Sequence, residues 1–165
     1  MNPFEISKAL DNKKNELFLN LTTEKINSMN KEIIDKLYLS KEESRDILSR
    51  LDGYRYVDNI DDIREGVYIR WINILNLENM TTNKNNKNSK NSKNSKNSKN
   101  NKNKPLLERG ATTSQLRESD EGILIICRNV FGRSNFTIKM EECLIFQKIT
   151  DQEKLILSVV DYLDK

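Results

Sequence analysis

Gly66-Val67-Tyr68-Ile69-Arg70-Trp71-Ile72 is a β-branched and aromatic run that opens on a glycine, the pattern of a strand leaving a turn. Alternation sets Val67, Ile69 and Trp71 on one face and Tyr68, Arg70 and Ile72 on the other. Four later segments read the same way. Ala111 to Arg117 is a weak, polar strand, and Ile123 to Arg128, opened by Gly122, is a stronger one. In Asn135 to Met140, Phe136, Ile138 and Met140 point inward while Asn135, Thr137 and Lys139 point outward. Cys143 to Ile149 completes the set, and Asn129-Val130-Phe131-Gly132-Arg133 reads as a hairpin connection. Five short strands in a row favour an antiparallel meander that forms either a small barrel or a strongly curled sheet.

Helical patterns flank the strands. Asn2 and Pro3 suit a helix start, and Ile6, Leu10 and Leu17 recur near helical spacing. A second helix starts at Thr22 or Thr23 and carries Ile26, Met29, Ile33, Ile34 and Leu37. A third opens on the capping box Ser40 to Glu43, carries Ile47, Leu48 and Leu51, and ends at Gly53. After the strands, Thr150 and Glu153 form another capping box, and Leu155, Ile156, Val159, Val160 and Leu163 form an apolar stripe. The fold class is therefore α+β. Residues 1–53 form an N-terminal helical segment, and residues 54–165 form a small β-barrel domain with a C-terminal helix. An Asn/Lys/Ser insert at 80–105 interrupts the second part.

The charge needs dividing before it is used. The chain carries 28 basic and 25 acidic side chains, a formal charge of +3. Residues Asn83 to Lys104 consist of ten Asn, eight Lys and four Ser, and Asn88 to Lys99 is Asn-Ser-Lys repeated four times. Without that tract the rest has 20 basic against 25 acidic groups, or −5. A segment so polar buries nothing and is expected to be disordered. Lengthening a hairpin loop to that extent costs only about 1.8 kcal/mol of closure entropy.

Chemistry-bearing motifs are scarce. The sequence has no His, which removes the commonest general base. Cys127 and Cys143 sit in apolar runs, as small buried hydrophobes do. Two cysteines without His do not make a four-ligand zinc site. Neither GxxxxGK[ST], GxGxxG nor GxSxG occurs. Asp58, Asp61, Asp62 and Glu65 form an acidic cluster without EF-hand spacing. No catalytic set, cofactor site or metal site is expected. The one suggestive surface feature mixes aromatic and basic residues: Tyr54, Arg55, Tyr56, Tyr68 and Arg70, with Arg128, Phe131 and Arg133 later. Small barrels bind single strands by stacking bases on aromatics beside cations.

Ile63 to Ile72 resembles the entry of SH3-like small barrels, where a glycine turn delivers an apolar strand. Leu144 to Lys154, running into the final helix, is similar to short proteins of giant DNA viruses, and the resemblance spans roughly Gly53 to Leu163. It implies an SH3-like barrel and a short Gly-containing loop where this chain has its tract. It brings no activity and no residue roles.

The expected function is a non-enzymatic protein-interaction or accessory module, viral if the resemblance holds. The alternative is a nucleic-acid-binding barrel that uses the aromatic-basic strands with the lysine tract as an arm. A protein partner is expected, nucleic acid is the second candidate, and no membrane contact is foreseen. MNPFEISKALDNKK lacks the apolar core of a secretory signal, so an intracellular place is expected: host cytoplasm, nucleus or virion.

Overall fold

In chain order the computed structural model runs α1 (Pro3–Leu10), a 3-10 stretch (Lys13–Asn20), α2 (Thr23–Asp35), α3 (Lys41–Arg50), β1 (Tyr54–Val57), β2 (Tyr68–Asn73), β3 (Ala111–Ser119), β4 (Gly122–Arg128), β5 (Asn135–Lys139), β6 (Cys143–Lys148) and α4 (Asp151–Leu163). It describes residues 3–75, 107–120, 122–129 and 134–164. The Asn/Lys/Ser tract, the expected Asn2 cap and the hairpin residues 130–133 lie outside the described residues.

The fold is α+β, built on an antiparallel sheet in the order β1-β6-β2-β3-β4-β5. Six strands replace the expected five, and the sheet is open rather than a closed barrel. The added strand is Tyr54–Val57, which pairs with β6. It is only four residues long, and an arginine stands at one of its two inward positions, so no apolar alternation announces it. The sheet still curls strongly. Trp71 on β2 and Phe136 on β5, three strands apart in the order, bring their ring centroids to 5.7 Å. Gly110 allows β3 to come in against β2. It has φ +103, and a Cβ there would lie 2.4 Å from the Ile69 carbonyl oxygen.

Three apolar clusters hold the layers. Inside the curl are Val57, Ile69, Ala111, Ile125, Cys127, Ile138 and Ile145. On the outer face, Ile34 of α2 and Ile47 and Leu51 from α3 and its end cover Ile72, Leu107 and Phe146. The third cluster joins Ala9, Phe18 and Ile26 to Ile149, Ile156 and Leu157. The helical segment is thus packed onto the sheet. In its first part the buried positions are Ala9, Asn15 and Phe18, while Leu10 and Leu17 are exposed. The reason is the 3-10 geometry after Asn12: positions three apart eclipse, so Asn15 and Phe18 share one side. Both capping boxes form, at Ser40/Glu43 and Thr150/Glu153.

Two polar devices fix the assembly. Glu153 has no solvent exposure; one carboxylate oxygen accepts from the Thr150 amide at 2.5 Å. The other lies 3.1 Å from Arg64 Nη2, an ionic approach without an aligned hydrogen bond. Arg64 also donates to Asn15 Oδ1 at 2.9 Å and to the Lys14 carbonyl. The Phe18 ring has the Arg55 guanidinium 5.4 Å and the Arg64 guanidinium 6.0 Å from its centre. The second device is Asn30. Its amide donates to the Tyr54 carbonyl at 2.8 Å and accepts from the Tyr56 amide at 2.9 Å, pairing the edge strand β1 as a neighbouring strand would.

Arg64→Met is expected to cost about 3 kcal/mol, the low end for a broken buried pair, because it takes the nearest cation from the buried Glu153 carboxylate while Arg55 stays nearby, and Glu153→Gln is expected to cost less, because Arg64 keeps Asn15 and the Lys14 carbonyl. The double variant should lose less than the sum, as read from urea unfolding midpoints. Asn30→Ala orphans two backbone groups and should cost about 1–3 kcal/mol. It should also make the protein associate at high concentration in sedimentation, through the unguarded β1 edge.

Candidate functional site

The outer face of β3, β4 and β5 is set by register. Ile125, Cys127, Phe136 and Ile138 point into the curl, so the alternate positions point out. Directly paired residues share a side, which gives three rows: Arg117–Leu124–Lys139, Gln115–Ile126–Thr137 and Thr112–Arg128–Asn135. A bulge between Thr113 and Gln115 shifts β3 by one residue, and without it Gln115 and Arg117 would point inward. Arg117, Gln115, Arg128, Asn135 and Thr137 are exposed, and Leu124 and Ile126 are half-buried between them.

Those nine positions hold three cations and no carboxylate. The sequence outside the tract is net negative, so this is a strong local departure. Arg117 rests on Gln115 at 3.2 Å. Lys139 approaches Glu142 at 4.0 Å, a surface pair of little weight. Two half-buried apolar side chains ringed by polar and cationic groups have the arrangement of a protein interface core and rim.

The residues nominated from sequence fall into separate places. Arg128 stands on this face, and Tyr68, opposite Thr112 on β2, stands at its margin. Tyr68 donates its hydroxyl to the Arg109 carbonyl at 2.9 Å. Arg70 donates to the Arg50 carbonyl at 2.6 Å, capping the end of α3, and lies 5.8 Å over the Tyr54 ring. Tyr56 packs on Phe146, ring centroids 5.7 Å apart. Arg55 is buried. Phe131 and Arg133 lie outside the described residues. The nominated set therefore does not form one stacking surface among the described residues. Arg117, Lys139, Leu124 and Ile126 were not nominated. Their signal was the outward phase of the alternation, which needs the register of β3 to be read.

Arg55 and Tyr56 instead border a cleft along the β1 edge. Its lining is Leu17, Leu21, Ile26, Met29, Arg55, Tyr56, Asp58 and Asp62, and its volume is about 200 Å³. An adjoining lobe of about 100 Å³ lies among Lys14, Arg55, Asp61, Asp62 and Arg64. Burial lowers the Arg55 pKa, against the pull of Glu153 and Asp62. Burial raises the Tyr56 hydroxyl, helped by Asp58. Among the described residues no three His, Cys, Asp or Glu side chains gather to hold a metal. No helix among them is long and apolar enough to cross a membrane.

No protein-family model matches the chain, and neither does any curated protein or solved structure.

Behind the sheet face, burial pushes the Cys127 thiol up to about 12 and the Cys143 thiol up to about 11, against an ordinary 9.0. Unfolded thiols ionise near pH 9 while the folded ones stay protonated. Their share of stability is therefore complete below pH 9 and is lost as pH rises toward 11 and 12. The urea midpoint should fall more steeply between those limits in the wild type than in a Cys127→Ala/Cys143→Ala variant. Ellman's reagent at pH 8 should leave the native thiols unlabelled on the time scale of a free cysteine.

Proposed function

We propose that the protein is a non-enzymatic interaction module, and that its working surface is the outer face of β3, β4 and β5, whose nine strand positions hold three cations and no Asp or Glu, and which receives an acidic partner protein. The observation that carries this reading is the set of three rows just described. Arg117 and Lys139 stand at the two ends of one row with Leu124 between them, and Arg128 stands at the centre of another row, next to Ile126 along β4. Rim cations steer an acidic partner and set register, while the apolar centre contributes burial.

The order β6-β2-β3-β4-β5, with a 3-10 turn at Met140–Glu142 before the returning strand, supports reading the sheet as an opened SH3-like barrel to which β1 is added. An accessory role in a giant DNA virus rests on the sequence resemblance alone. A nucleic-acid partner has one supporting observation: cations without carboxylates on an open sheet face are also what a phosphate backbone needs. The face has no aromatic side chain on its nine positions for base stacking.

The test is affinity capture from source-cell extract with the full chain, alongside an Arg117→Glu/Arg128→Glu variant and with nuclease treatment as control. The expected result is a protein retained after nuclease by the wild type and lost by the variant. If nuclease releases everything bound, the nucleic-acid reading takes its place. If the variant retains the same proteins as the wild type, this face is not the working surface.

A further inference from the structure

We infer that a second copy of this chain docks on the free edge of β5, the two β5 strands pairing antiparallel about a twofold axis at Thr137. The inference does not rest on the function proposed for the sheet face, because pairing uses the main chain at the edge and leaves the outward side chains where they are.

The two ends of the sheet are finished differently. β1 closes one side, and there Asn30 takes up the Tyr54 carbonyl and the Tyr56 amide. β5 ends the other side. Among the described residues the main chain of Asn135 to Ile138 has β4 as its one hydrogen-bonded neighbour, and no side chain stands in for a second strand. A strand with a single neighbour points about half its amides and carbonyls away from it, ready for another strand.

Sequence and symmetry identify that strand. β5 reads Asn135-Phe136-Thr137-Ile138-Lys139. Turned antiparallel on itself about Thr137, it sets Thr137 opposite Thr137 of the second copy, Phe136 opposite Ile138, and Asn135 opposite Lys139. A threonine pair and an aromatic–β-branched pair are both favourable cross-strand neighbours. The inner row also stays apolar, since Phe136 and Ile138 share the side on which Phe136 meets Trp71. No like charges meet, because the one charge of β5 stands opposite an asparagine. Lysine commonly guards an edge, but Lys139 is the last residue of the strand and faces outward, so self-pairing neither buries it nor brings it against its own copy.

The other free end of the sheet decides how many copies join. Head-to-tail growth needs β5 of one copy to meet β1 of the next, and Asn30 occupies that edge. Association therefore closes at two copies through identical surfaces. It also makes the two outer faces of β3, β4 and β5 into one continuous face of six strands.

The test uses the full chain alone, in sedimentation equilibrium over a concentration series up to roughly 1 mM. The mass should rise from one 19.3 kDa chain to twice that value and stop. Thr137 is exposed, so Thr137→Lys and Thr137→Glu should keep the far-UV spectrum and urea midpoint of the wild type. Each sets like charges opposite each other at the axis and should weaken the dimer about tenfold or more. Mixing the two variants should restore a dimer with one copy of each. In the wild type, alternate amides between Asn135 and Ile138 should exchange with deuterium more slowly as concentration rises, a readout that needs no variant. The inference falls if the wild type keeps the mass of one chain throughout or grows past two copies. It also falls if the β5 amides exchange independently of concentration, if both Thr137 variants dimerise like the wild type, or if their mixture fails to pair.

Discussion

A carboxylate with no access to water must find its counter-charge inside the protein, and Glu153 does so by drawing Arg64 across to the start of α4. That demand links parts that are remote in sequence. Arg64 belongs to the connection between β1 and β2, and its remaining donors reach Asn15 and Lys14 in the 3-10 stretch. Phe18 lies between Arg64 and Arg55, so the first residues, the sheet and the last helix meet at one node. The apolar clusters supply most of the burial, but they are non-directional. Directional contacts orient the N-terminal segment: Arg64 to Asn15 and Lys14, Asn12 to Gln152, and Thr23 to Asp161.

The same node shapes the cleft. Arg55 occupies an inward position on β1, yet the strand ends too close to Phe18 and Glu153 for its guanidinium to reach solvent. Two of its requirements are met there: a carbonyl for Nη2 and an aromatic face for the plane. The Nε is left facing an interior with no acceptor placed for it. A buried donor left unpaired costs the protein stability.

Charge is partitioned over the surface. The face of β3 to β5 is cationic, the cleft along β1 mixes Asp58, Asp61 and Asp62 with Lys14, Arg55 and Arg64, and the sequence outside the lysine tract sums to −5. Net charge therefore describes neither surface.

Local signals in the sequence were sufficient for much of the architecture. Both capping boxes, the apolar stripes of α2 and α3, and the in-out alternation of β2, β4 and β5 depend on residues a few positions apart, and all are legible without tertiary knowledge. The α+β class and the curled antiparallel sheet follow from them. What the fold alone decided depends on residues distant in sequence. Asn30 reads as a polar break in a helix stripe until β1 lies beside it. Glu153 reads as a cap residue until Arg64 arrives. Arg117 and Lys139 become one row only through the bulge at Thr113/Gln115, because a one-residue slip in register moves every side chain to the opposite face. Spacing along a chain fixes which way a side chain points on its own element, whereas its neighbours depend on how the elements meet.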